Sequence, residues 1–262
     1  MSCPMNRFWI VISLFFLASC APQGQVVPPS PKSDQKTPIV APVVEPIVAP
    51  IVDEPRQAQL LVPREAVPQP VPPPEINLAV PFYPQAPNGF WSLPWQEACE
   101  EASSILAYCY VSGKSLTLEL FKKELNGLFE WQNKNFGDYK DTTIEQTAQM
   151  IRGYWGFDRL RVIENPTIDQ IKEALAHGNP VIAPFAGRDL KNPFYSNQGP
   201  YYHMLVIKGY DSKNFITNDV GTKKGADYRY PFAHLMSAMH EWDPKDIHQG
   251  AKRVIVVEKA GN

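Results

Sequence analysis

The chain has 262 residues, with 25 Lys and Arg against 27 Asp and Glu and a formal net charge of −2. That balance carries no basic excess of the kind nucleic-acid binding needs, and the length is enough for a domain with its own core. Four cysteines in so long a chain exclude a disulfide-dense scaffold.

Residues 1–7 form a short segment with one basic residue, Arg7, and residues 8–17 are an apolar run. This is the pattern of a signal peptide, too short to span a bilayer. It ends in Leu17-Ala18-Ser19-Cys20, which resembles a bacterial lipobox. The resemblance implies removal of residues 1–19 and a diacylglyceryl group on Cys20, hence an exported protein held to the membrane through an N-terminal lipid. A multi-chain anchor of that kind holds where a single chain does not.

Residues 20–76 are rich in proline and poor in aromatics, with the repeats Ile39-Val40-Ala41-Pro42, Val43-Val44-Glu45-Pro46 and Ile47-Val48-Ala49-Pro50. Proline every fourth residue forbids helix and strand ladders and favours polyproline II. Fully extended, such a stalk reaches at most roughly 170 Å. A spacer that lifts the following domain off the membrane and a disordered tether of no required length both fit.

Residues 77–262 are expected to be one α+β domain, helices first and an antiparallel sheet second. A helix opens at Cys99, with Glu97, Glu100 and Glu101 as acidic first-turn residues and Ala98, Ala102, Ile105, Leu106 and Cys109 on one apolar face. Further helices are expected over 118–125, 144–154 and 168–177, each preceded by Thr as a candidate cap, the last ending at Gly178-Asn179-Pro180. Strands follow over 181–185, 203–210, 214–218 and 253–257, interrupted by a short helix near 232–240.

The chemistry sits on two of these elements. Cys99 opens a helix, where unpaired N–H groups and the macrodipole favour a thiolate. Glu100 and Glu101 would oppose this if aimed at the sulfur, so a low thiol pKa depends on an imidazolium partner. His203 opens a strand, and the hairpin through Asp211-Ser212-Lys213-Asn214 returns to Asn218 and Asp219 beside it. Nucleophile, base and orienter are the parts a cysteine nucleophile needs. Directly opposed residues share a face, so the register decides between Asn218 and Asp219.

With these residues in place, the chain resembles the papain-like cysteine peptidases, specifically the branch allied to bacteriocin-processing (double-glycine) peptidases, cysteine peptidase family thirty-nine. The landmarks are Val80-Pro81-Phe82-Tyr83-Pro84-Gln85, Ala98-Cys99-Glu100-Glu101-Ala102-Ser103, the run from Tyr202-His203-Met204 to Gly209-Tyr210, and Ile216-Thr217-Asn218-Asp219-Val220-Gly221-Thr222. The resemblance implies a papain-like fold, Cys99 as nucleophile, His203 as general base and acid, Asp219 as orienter and Gln85 as the oxyanion-hole side chain. The chain departs from the pattern in having Ala98 where Gly often precedes the nucleophile, and Asp219-Val220 for an Asp-Pro step. The long interval from Gln85 to Cys99 leaves Gln96 as a competing donor.

The implied function is a cysteine peptidase acting through a thioester on a peptide substrate, with no cofactor. Two alternatives stand beside it: an amidase or endopeptidase on cell-wall peptides with the same triad, and a non-catalytic peptide-binding module. Cys3 would leave with the signal peptide and Cys20 would be acylated. Cys99 and Cys109 lie ten residues apart on one helix, about 15 Å, beyond disulfide reach. His234, His240 and His248 match no metal-ligand spacing, so no metal is expected.

Overall fold

The computed structural model describes residues 72–260. Cys20 and the proline-rich repeats lie outside the described residues.

The central strands are apolar at successive positions, so the sheet needs cover on both faces. Seven strands form it: β1 (Ile76–Asn77), β2 (Leu160–Glu164), β3 (Val181–Ala186), β4 (Tyr202–Tyr210), β5 (Asn214–Asn218), β6 (Tyr228–Pro231) and β7 (Arg253–Val257). They run in the order β2-β7-β3-β4-β5-β6, with β1 paired to β4, and every pairing is antiparallel. On one face Ile182, Met204, Val206, Ile255 and Val257 meet α1 (Cys99–Val111), α2 (Leu118–Asn135) and α3 (Ile144–Trp155). On the other, Phe185, Leu205, Ile207 and Val256 meet Ile171 and Leu175 of α4 (Ile168–Ala176) and Leu235 of α5 (Phe232–Ala238). The domain is thus α+β, with a helix that opens at Cys99 packed on an antiparallel sheet.

Helix α1 is buried on more than the single stripe its apolar spacing predicts: 12 of its 13 residues are buried. It lies between the sheet and the helices α2 and α3, so both its apolar residues and Glu100, Glu101, Ser103 and Ser104 are enclosed. Ser103 Oγ donates to Met204 O at 3.2 Å, fixing the helix start to the start of β4. The caps form as Thr residues dictate: Thr117 Oγ1 accepts from Leu120 N, and Thr143 and Thr167 make capping boxes with Gln146 and Gln170.

Five elements differ from the sequence expectation. Helix α2 runs ten residues past Leu125, to Asn135. Asn126-Gly127 looks like a stop, but the buried series Phe121, Leu125, Leu128, Phe129, Gln132 continues through it, and Tyr154 of α3 fills the space a Cβ at Gly127 would take. Strands β2 and β6 were not expected; both lie at sheet edges with partly exposed residues, so their patterning is weak. Helix α5 stops at Ala238, two residues short of His240, because Met239 is extended and Phe185 bridges to it. Strand β1 was not expected either; its Ile76 pairs with Tyr210 of β4.

One irregularity positions the site. Gly209 pairs with Ile216, but Ile207 pairs with Thr217 and Val206 with Asn218, so Lys208 is an extra residue in β4. Without this bulge Asn218 would oppose Ile207 and share the face of His203. With it, the 206–218 register carried one step further sets Asp219 opposite Leu205, on the face of His203. The bulge has its own supports. Lys208 Nζ pairs with Asp227 at 2.7 Å, and β1 presses so close to Gly209 that a Cβ there would lie 2.2 Å from Ile76 O.

Candidate active site

Cys99 is the first residue of α1, 6 % exposed, and its Sγ donates to Glu100 Oε2 at 3.0 Å. The other carboxylate oxygen, Oε1, accepts from Thr142 N at 2.9 Å. Burial, the Glu100 charge and hydrogen bond, and Glu101 push the Cys99 thiol well above its ordinary value, against the backbone N–H of Met204, which lowers it. The helix N-terminus is therefore outweighed. Burial likewise raises the Glu100 carboxyl to about 7, against hydrogen bonds from Cys99 and Thr142. Glu101 is raised by burial and by Glu100. It accepts from Gln132 Nε2, while Glu101 Oε2 and Gln132 Oε1 are buried with no partner. A proton on Glu101 Oε2 supplies the donor this acid–amide pair lacks.

His203 is 1 % exposed, and its Nε2 meets Asp219 Oδ1 at 2.8 Å. With Nε2 committed to a carboxylate, the ring's Nδ1 is left as the acceptor for a proton. Asp219 is fully buried yet fully provided for. Gly221 N donates to Oδ1 at 3.0 Å, and Oδ2 accepts from Asn192 Nδ2 at 2.9 Å, Tyr195 Oη at 2.7 Å and Tyr230 Oη at 2.7 Å. Burial would raise its carboxyl, but the charge and hydrogen bond of His203 and the two tyrosine hydroxyls outweigh that and hold it below its usual range. Gly221 also lies against the imidazole, where an added Cβ would stand 2.8 Å from Cε1. Asn218 faces away, donating through Nδ2 to Val80 O and Pro81 O. Asn192, Tyr195 and Tyr230 escaped sequence reasoning because they come from other segments and carry no local motif.

Cys99 and His203 line one cleft of about 830 Å³, with Gln85, Trp91, Tyr201 and Lys224 among its other walls. Gln85 is buried, and both N–H groups of Nε2 are already engaged, at Trp95 O (3.1 Å) and Gln96 O (2.8 Å). It braces the 3-10 turn Trp95–Glu97 just before α1. Gln96 is exposed, and its side chain donates to Glu97. Of the aromatic residues flanking Cys99, Trp91 is 40 % exposed at the cleft, whereas Trp95 is partly buried and tilts on Phe129 at 5.9 Å. His234 and His240 bond to backbone carbonyls and His248 to Asp189 and Asp246. Among the described residues no three His, Cys, Asp or Glu side chains are grouped to hold a metal.

No curated protein matches the chain. Two solved structures are similar in part. A C39-like protein from Bacillus anthracis has 15 % identity over 72 % of this chain and 99 % of its own, with a TM-score of 0.48. A cysteine protease from Carica candamarcensis, in complex with E-64, has 14 % identity over 71 % of this chain and 99 % of its own, with a TM-score of 0.40. The model of the Peptidase_C39 like family matches residues 77–244. Those residues run from β1 to beyond α5 and include Gln85, Cys99, His203 and Asp219. By that match over most of its length, the chain belongs to the Peptidase_C39 like family.

Proposed function

We propose that this is an exported, lipid-anchored thiol hydrolase that cleaves peptide bonds through Cys99, His203 and Asp219. The observation that carries the reading is the His203–Asp219 hydrogen bond at 2.8 Å, in the same cleft that the start of α1 supplies with a thiol. His203 Nδ1 takes the thiol proton while Nε2 stays bonded to Asp219. The thiolate attacks the substrate carbonyl, the imidazolium protonates the leaving amine, and water releases the acyl group from the thioester. The Cys99 backbone N–H stabilises the oxyanion, and Gln85 joins it by turning one N–H away from Trp95 O or Gln96 O. The lipobox-like Leu17-Ala18-Ser19-Cys20 supports export and anchoring, and the proline-rich segment supports a substrate at some distance from the membrane, cell-wall peptides among them.

A second reading, a peptide-binding module without turnover, draws on one observation: the resting Cys99 thiol is held protonated by burial and by Glu100. Alkylation of Cys99, followed on its own peptide by mass spectrometry, separates the two. A poised nucleophile labels faster than an ordinary thiol at neutral pH, and His203→Ala removes at least about tenfold of that rate. Labelling indifferent to His203→Ala, together with full peptide binding by Cys99→Ala, selects the binding module.

A further inference from the structure

Glu100 is 1 % exposed, adjoins the nucleophile in sequence, and touches the reacting sulfur. A buried carboxylate beside a thiolate is electrostatically unfavourable, so conventional thiol activation has no use for this group in its ionised form. As a neutral carboxyl it is useful: it becomes an O–H donor aimed at sulfur, and hydrogen bonds to an anion are about twice as strong as neutral ones. We propose that Glu100 is a catalytic residue, donating a hydrogen bond to the Cys99 thiolate when protonated and holding the thiol proton when ionised, so that the nucleophile is armed in the first state and latent in the second.

The proton count is simple. The armed centre holds two protons over three groups, one on Glu100 and one on the His203 imidazole, leaving sulfur as the thiolate. The latent centre holds one, on sulfur, facing the Glu100 carboxylate, with His203 neutral. Passing from armed to latent, the His203 Nδ1 proton moves to sulfur and the Glu100 proton leaves to solvent, while Nε2–H stays on Asp219; no other bond changes.

The surroundings favour the neutral carboxyl. Glu101 follows on α1, and Asp141 faces Glu100 from the segment that also supplies Thr142 N, itself raised to about 6 by burial and by Glu97. Tyr202 of β4 faces the pair with its hydroxyl donated to Thr142 O, and Glu241 stands behind it, paired with Arg253 at 3.4 Å. Among the described residues no lysine or arginine pairs with Glu100 or Asp141. The carboxyl value near 7 puts the change between armed and latent forms close to neutrality.

Glu100's role presupposes the thiol-hydrolase reading, and one experiment separates their failures. The full-length chain is labelled with iodoacetamide at pH values from about 5 to about 9, and the rate at the Cys99 peptide is read by mass spectrometry. Wild-type labelling falls about tenfold as pH rises through neutrality, because each unit past the Glu100 titration costs a factor of ten in armed protein. Glu100→Gln keeps an acceptor for Thr142 N and a donor for sulfur without titrating, so its profile lacks that fall and at about pH 8 exceeds wild type by about tenfold. Parallel profiles for wild type and Glu100→Gln overturn the proposal. Should Glu100→Gln fail to fold, wild-type infrared spectra decide: a protonated-carboxyl band must titrate near neutrality and shift on alkylation of Cys99, and a carboxyl region unchanged by alkylation overturns it. Wild-type labelling that His203→Ala leaves untouched at every pH overturns the hydrolase reading itself, and Glu100's role with it.

Discussion

Two sides of the cleft each bury a carboxyl completely, with opposite results. Asp219 lies under the imidazole with five donors around its two oxygens and is held ionised. Glu100 and Glu101 lie under the thiol with few donors and acidic neighbours, and both are raised. Burial is the same on both sides, so burial does not decide the charge. What decides it is whether the fold supplies hydrogen-bond donors and a cation to replace water. One side is built to keep a negative charge under His203, the other to keep protons near Cys99.

The comparison is broken most severely by neutralising the wrong side. Asp219→Asn removes the charge that orients His203 and stabilises its imidazolium, and peptide hydrolysis should fall by about 10³ to 10⁴. Asn218→Ala should leave turnover within roughly tenfold while costing about 1–2 kcal/mol of stability, since its amide serves Val80 O, Pro81 O and Asp227 N, all outside the His203–Asp219 pair. Turnover kinetics beside urea denaturation test both. A larger rate loss for Asn218→Ala than for Asp219→Asn would reassign the orienter.

That pair also marks what the chain made legible. The helix start at Cys99 follows from apolar spacing and acidic first-turn residues, those at Ile144 and Ile168 from apolar spacing and Thr caps, and β3, β4, β5 and β7 from apolar runs, because those signals are local. The choice between Asn218 and Asp219 was not, since it depends on Lys208 as an extra residue in β4. A clue was present: glycine inside an apolar strand, here Lys208-Gly209, often marks a bulge. Asn192, Tyr195 and Tyr230 had no comparable clue, as their shared partner is set by the tertiary fold alone. Glu100 was visible as a threat to the thiolate, but its contact with sulfur, and hence its sign as a neutral donor, needed the packing of α1 against Thr142.

The protonated side should also register in stability. Glu100 has an ordinary value of 4.5 and a folded value near 7. Between these the unfolded chain has lost a proton that the native state keeps, so stability falls as pH rises across that window and this group adds nothing further beyond it. Such a displacement is worth on the order of 3 kcal/mol. Urea midpoints at about pH 5 and about pH 8 should therefore differ more in wild type than in Glu100→Gln, which removes the titrating group. An equal difference in the two proteins would mean that Glu100 is already ionised at the lower pH. Asp219 acts in the opposite sense: its depressed value stabilises the fold above its ordinary range near 3.8 and is lost only in stronger acid.

The smallest expected effect comes from thinning the donors around Asp219 one at a time. Tyr230→Phe removes one hydroxyl but leaves Asn192, Tyr195, Gly221 and His203 on the carboxylate, so the rate should fall only about fivefold, the worth of one hydrogen bond. Tyr195→Phe removes an equal donor, but Tyr195 also stands edge-on to the His203 ring at 5.6 Å and lines the cleft. Its ring remains in the variant, so the two losses should match if the hydroxyls act through Asp219 alone. Each loss raises the Asp219 carboxyl towards its ordinary range, and the acid limb of Cys99 labelling should move to higher pH in both variants. A rate loss with an unmoved acid limb would assign the hydroxyls to holding the loop in place, and the charge on Asp219 would then rest on His203 and the two remaining N–H donors.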